Sequence, residues 1–188
     1  MTNMDRRDAL KHTALLMGGL LSASTVAGVL AGCKASNKPN WQPQFLTKEM
    51  IPVVDALAET LIPATDTPGA KDAGVTEFID VMLAKYKEKA EQDIFMAGLT
   101  QVETDCQAAH QKSFADLAPE QQTAYLKQMA EAAVGKRNTF FHELKGLTFT
   151  GYFTSELVGK NVLNFDPIPG RYDPCMPVEE VNNIAWTI

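Results

Sequence analysis

The sequence predicts an all-α protein: a single helical domain of about five helices with a long, irregular, proline-rich C-terminal tail. Three observations carry this. Apolar residues recur at helical spacing in successive blocks from residue 47 to about residue 158. No convincing run of residues alternates as a half-buried strand would, and no internal repeat is present. From Gly159 onward the texture changes, and the run Asp166 to Pro177, with Pro167, Pro169, Pro174 and Pro177, is incompatible with helix.

The elements follow in order. Residues 33–46 hold Ser36, Asn37, Pro39, Asn40 and Pro43 and read as a tether. The helical domain is expected over 47–188. Thr47 is positioned to cap a first helix running to about Ile62, with Met50, Val53, Val54, Leu57 and Leu61 on one face. Pro63 stops it, and Ala64 to Ala70 is a loop by composition. A second helix begins near Val75 or Thr76, with Phe78, Ile79, Met82, Leu83 and Tyr86 as its buried stripe. The charged run Lys85 to Glu91 is its solvated end. A third helix places Ile94, Phe95, Leu99, Val102, Cys106 and Ala109 in phase. Pro119 suits the first position of a fourth helix, although Ala118 is a poor cap. That helix uses Tyr125, Leu126 and Met129 and ends near Gly135. The fifth is expected from about Arg137 to Val158, with Phe140, Phe141, Leu144, Leu147 and Phe149 inward; Gly146 and Gly151 mark close helix contacts or a break.

Residues 1–32 have the organisation of an export signal. Arg6 and Arg7 are adjacent, with Leu10 and Lys11 close behind, as in a twin-arginine signal. An uncharged stretch from Thr13 to Gly32 follows, and Leu30-Ala31-Gly32-Cys33 matches a lipobox, which makes Cys33 the expected lipidated N-terminus. The alternative is an uncleaved membrane anchor, for which Gly18, Gly19, Ser22, Ser24, Thr25 and Gly28 make the stretch weakly apolar. The expected location is the periplasm, attached to the bacterial envelope by lipid.

The leader carries Arg6, Arg7 and Lys11 against Asp5 and Asp8, a net +1, so a chain of net charge −6 leaves −7 on residues 33–188. Such an acidic body argues against nucleic acid and against electrostatic adhesion to membranes. Of three cysteines, Cys33 is assigned to lipid, which leaves Cys106 and Cys175. An even remainder in an exported protein predicts a disulfide, closing a loop of about 70 residues worth ~4 kcal/mol; two separate buried thiols are the alternative.

The chain has no glycine-rich nucleotide fingerprint, no P-loop, no C-x-x-C-H haem motif and no G-x-S-x-G or H-E-x-x-H motif. Cys106 and His110 are four apart on a helix, but two ligands do not make a metal site. His142 and Glu143 are adjacent, so on a helix they point in different directions. Asp66, Asp72, Glu77 and Asp80 do not have the EF-hand spacing; acids at a helix start are the simpler account.

Three ordered segments resemble one family. They are Leu61-Ile62-Pro63-Ala64-Thr65-Asp66-Thr67-Pro68-Gly69-Ala70 with Ala73-Gly74-Val75 and Phe78-Ile79-Asp80; Leu144-Lys145 through Gly151-Tyr152-Phe153-Thr154-Ser155-Glu156; and Pro167-Ile168-Pro169-Gly170-Arg171-Tyr172 with Cys175 and Pro177. Together they resemble the gluconate 2-dehydrogenase subunit 3 family. The resemblance implies a non-catalytic small subunit that binds no cofactor itself. Its partner would be a large flavoprotein of the glucose–methanol–choline type, which holds FAD and oxidises a sugar or polyol, with a cytochrome c taking the electrons. The small subunit would carry the export signal for both chains and support folding of the large one. The lipobox at Cys33 departs from many members and adds an anchoring role. A stand-alone envelope lipoprotein that binds a partner or ligand is the alternative function. Two surfaces are expected to meet the partner: the tail, through Ile168, Arg171 and Tyr172, for which the alternative is that it wraps its own core, and the loop from Pro63 to Gly74, including Pro68.

Overall fold

A computed structural model describes residues 41–166, 168, 170 and 175–186. Arg6, Arg7, Cys33, Arg171 and Tyr172 lie outside the described residues. Six helices are present among the described residues: α1 (Ile51–Leu61), α2 (Val75–Lys85), α3 (Lys89–His110), α4 (Pro119–Ala133), α5 (Phe140–Phe153) and α6 (Glu156–Asn161). Short 3₁₀ turns occur at Phe114–Asp116 and Val178–Val181. Among the described residues there is no strand, only an isolated parallel bridge between Asn164 and Trp186. The expected all-α class holds.

Helix α5 is the centre of the assembly and packs against each of the other five. Its buried positions Phe140, Leu144, Leu147, Thr148, Gly151 and Tyr152 repeat every three or four residues, so one continuous stripe faces inward. Phe140 meets Phe95 of α3 edge to face, with ring centroids 5.1 Å apart. That approach depends on Gly98, where an added Cβ would lie 2.1 Å from the Phe140 ring. Gly151 serves α2 in the same way: its Cβ would come within 2.7 Å of Phe78, whereas Gly146 faces open space. Each large side chain fully buried here, such as Phe95, Leu99, Leu144 or Leu57, contributes about 1.5–3 kcal/mol through lost water contact.

Several boundaries and faces differ from expectation. The fifth helix is divided at Thr154–Ser155, not at a glycine. The Ser155 hydroxyl accepts from the Val158 N–H at 3.3 Å and starts α6 as a separate helix. Helix α1 begins at Ile51, with Pro52 in its first turn. Thr47 closes the preceding turn instead, its carbonyl accepting from Met50 and Ile51 N–H at 3.0 and 3.3 Å. The inward line of α2 is Val75, Ile79 and Leu83, with Phe78 and Met82 flanking it; Tyr86 at its end is 69% exposed. Phe149 is 40% exposed on the outer side of α5, under the Lys145 ammonium. Ala118 remains a poor cap, and Gln121 compensates by accepting from the Ala118 N–H at 3.1 Å.

The segment before α1 is part of the body. Leu46 is buried in the core, and Trp41 and Phe45 are packed against it. Asp80 of α2 holds this segment: its fully buried carboxylate accepts the backbone N–H groups of Gln44, Phe45 and Leu46 at 2.7, 2.9 and 2.6 Å. Hydrogen bonds to an ionised acceptor are the strong ones. Asp80→Ala would leave these donors unmatched and is expected to cost about 2–4 kcal/mol. Chemical denaturation would read the loss, and hydrogen exchange should show the amides of residues 44–46 deprotected ahead of the helices.

Candidate functional site

The feature built with the most care at the surface is the loop from Pro63 to Gly74. Its composition reads as coil, yet its backbone is hydrogen-bonded at several points. Ala70 N–H donates to the Ile62 carbonyl at 2.9 Å, Ala73 N–H to Gly69 at 3.1 Å and Thr65 N–H to Thr67 at 2.9 Å. Glu59 of α1 reaches across it. One carboxylate oxygen accepts from Ala64 N–H and the other from Lys71 N–H, both at 2.9 Å. Tyr152 of α5, 4% exposed, donates its hydroxyl to the Pro68 carbonyl at 2.8 Å. Ala70 is fully buried beneath, and the Thr76 hydroxyl donates to Asp55, tying the start of α2 to α1. Three helices thus fix one loop, and Pro63, Ala64, Thr65 and Asp66 are presented outward while Pro68 is half-buried. A surface held in this way would lose little freedom on meeting a partner.

The other expected surface residue, Ile168, is 84% exposed. No described contact joins this residue to the loop. Neither Glu59 nor Tyr152 stood out in the sequence as a site residue. Tyr152 had one signal, its place in the Gly151-Tyr152-Phe153 segment; Glu59 had none, because its partners are backbone groups.

The titratable candidates separate. Glu143 turns to Lys87, whose ammonium lies 2.8 Å from it and 2.9 Å from Glu91. Glu143 and then Glu91 push the Lys87 pKa up. His142 turns instead to the Thr139 hydroxyl, 2.7 Å from Nδ1. His110 is exposed and lies 3.4 Å from the Gln121 amide, while Cys106 faces the core. Asp66, Asp72 and Glu77 are exposed, and Asp80 is buried in its amide cluster. Among the described residues no three His, Cys, Asp or Glu side chains converge to hold a metal. Also among them, no helix is long and apolar enough to cross a membrane.

The expected disulfide between Cys106 and Cys175 is not formed. Cys106 is 1% exposed, turned into the packed face of α3, whereas Cys175 is exposed in the tail. A disulfide requires Cα atoms within about 7 Å and facing Cβ vectors, which a core-facing helical position denies to an exposed tail residue. Burial, with Glu103 and Asp105 adding to it, pushes the Cys106 thiol up to about 11.

Two outcomes follow from these contacts. Tyr152→Phe is expected to cost about 1 kcal/mol and to raise hydrogen exchange in residues 63–74, with the helices unchanged. Cys106 should resist iodoacetamide in the folded protein and react once it is denatured. Its folded pKa lies above the unfolded value near 8.5. Its contribution to stability is therefore complete below that value and is lost as pH rises through about 11; denaturation midpoints measured between pH 8 and 11 should fall less for Cys106→Ala.

A family model described as gluconate 2-dehydrogenase subunit 3 matches residues 48–170. No curated protein and no solved structure matches the chain. The matched stretch contains all six helices, the loop fixed by Glu59 and Tyr152, and Ile168. The chain belongs to the gluconate 2-dehydrogenase subunit 3 family.

Proposed function

We propose that this chain is the non-catalytic small subunit of a periplasmic sugar dehydrogenase whose large subunit is an FAD-dependent flavoprotein of the glucose–methanol–choline type. Family membership over residues 48–170 carries the reading. Subunit 3 of a dehydrogenase is an accessory chain, and FAD and the oxidation belong to the partner. A cytochrome c takes the electrons onward. The rigid loop from Pro63 to Gly74 supports a role exercised through contact, since its exposed residues are held in place by Glu59 and Tyr152 before any partner arrives.

The small subunit acts in three ways in this reading. Its leader, with Arg6 and Arg7, addresses the assembled pair to the twin-arginine route, which carries folded proteins. Its helical body supports folding of the flavoprotein. Its lipid at Cys33 holds the complex at the envelope, because a body of net charge −7 gains nothing from anionic lipid.

Coexpression of the full chain with its large subunit is expected to recover a yellow, FAD-containing complex from the membrane fraction. Changing Arg6 and Arg7 together to lysine keeps the charge and removes the address. Dehydrogenase activity should then remain in the cytoplasm. Full periplasmic activity in that double variant would refute the shared export, and recovery of the wild-type chain free of flavoprotein would refute the accessory role.

A further inference from the structure

We propose that the outer face of α5 binds a second copy of this chain as an antiparallel, two-fold symmetric helix pair. The face lies opposite the buried stripe of the helix. His142, Gly146, Phe149 and Phe153 follow one another at intervals of four, three and four residues, the spacing of a helix–helix seam. They sit on the helix that packs against all five others. Even so, His142, Gly146 and Phe149 remain exposed and Phe153 half-buried.

Gly146 points to a close approach from outside. Glycine weakens a helix interior relative to alanine, and Gly98 and Gly151 have a reason for it within the chain, since each makes room for a phenylalanine ring. Gly146 has none: an added Cβ there would meet nothing within 4 Å. The gap is open to a side chain of another molecule. One turn along the same seam stands a side chain shaped to fill such a gap. Phe149 is an exposed ring, 6.0 Å from the ring of Phe153 and with the Lys145 ammonium 5.7 Å above it. Gap and knob are three residues apart on one face.

That arrangement selects the occupant. In an antiparallel pair with its two-fold axis between Gly146 and Phe149, each Phe149 enters the other copy's Gly146 gap and each Phe153 meets the other copy's His142. An isologous contact requires such reciprocity. The charges agree with it. Lys136 and Arg137 are exposed just before α5 and make no ion pair among the described residues. The antiparallel register brings them towards Glu156, exposed just after α5, of which Lys160 takes one oxygen. It also sets opposite helix-dipole ends side by side, whereas a parallel pair would set like ends together. The seam is one helix wide, so the pair belongs to the small, reversible class of interfaces. It does not depend on the accessory-subunit reading; where both hold, the complex carries two copies of the small subunit.

The test follows the mass of the full chain by sedimentation equilibrium in density-matched detergent. The wild type is expected to sediment as two chains and to return to one on dilution. Gly146→Gln fills the gap with a better helix former, and Phe149→Ala removes the knob. Each should raise the dissociation constant about tenfold or more, while the thermal midpoint of dilute, monomeric Gly146→Gln is no lower than that of the wild type. Gly146→Phe alone should lose the dimer. Combining it with Phe149→Gly exchanges knob and gap, which the two-fold axis makes complementary again, and should recover it. A wild-type chain of single mass at every concentration overturns the proposal. So does a dimer indifferent to both single variants, or an exchange variant no better than Gly146→Phe alone. If the chain is monomeric by itself and Gly146→Gln loses a coexpressed large subunit, the face belongs to that partner and the second copy is overturned.

Discussion

The buried carboxylate of Asp80 is the constraint from which the arrangement of the N-terminal half follows. An unpaired charge in a protein interior costs several kcal/mol, so the residues around it must supply donors. They are the consecutive amides of Gln44, Phe45 and Leu46, converging from a segment without regular structure. Once those amides are committed, Leu46 enters the core and Phe45 and Trp41 lie against it. Helix α2 is held from a second side by Thr76 bonding to Asp55 of α1. Its Val75, Ile79 and Leu83 then face the stripe of α5.

Around that frame the polar groups do local work. Glu59 and Tyr152 spend their hydrogen-bonding capacity on loop backbone, and Lys87 bridges the start of α3 to α5 through Glu91 and Glu143. The Tyr125 hydroxyl donates to Asp105 at 2.8 Å, and burial, reinforced by that carboxylate, raises its pKa. Hydrogen bonds between side chains and irregular backbone are what make a proline- and glycine-rich stretch hold one shape. The protein concentrates them at the loop from Pro63 to Gly74.

Helix periodicity was legible because apolar burial leaves a regular trace. Leu99, Val102 and Cys106 on α3, and Phe140, Leu144 and Leu147 on α5, are buried as their spacing implies. Tyr86 and Phe149 were misplaced because periodicity does not say where a helix leaves the core or which edge of a broad stripe is wet. The division at Ser155 was hidden by the two glycines before it, which draw attention as breakers, although Gly151 is there to admit Phe78. Asp80 looked like a surface acid at a helix start, since carboxylates are rarely buried and its partners are amides that every residue carries. The disulfide was inferred from cysteine parity, which carries no geometry; the burial of Cys106 decided against it. The family was legible from three separated segments, two of which the structure gives a physical role through the loop, Tyr152 and Ser155.

The packing of Trp41 on the core limits how far the body could stand from a lipid on Cys33. Trp41, eight positions after Cys33, already lies against the core. Fully extended, such a span covers at most about 26–29 Å. A lipid on Cys33 would then confine the helical domain, and whatever is bound to it, to a layer no thicker than one small protein above the membrane surface. Within that layer, encounter with a membrane-held partner would become a search in two dimensions, and effective concentration would replace bulk concentration as the governing quantity.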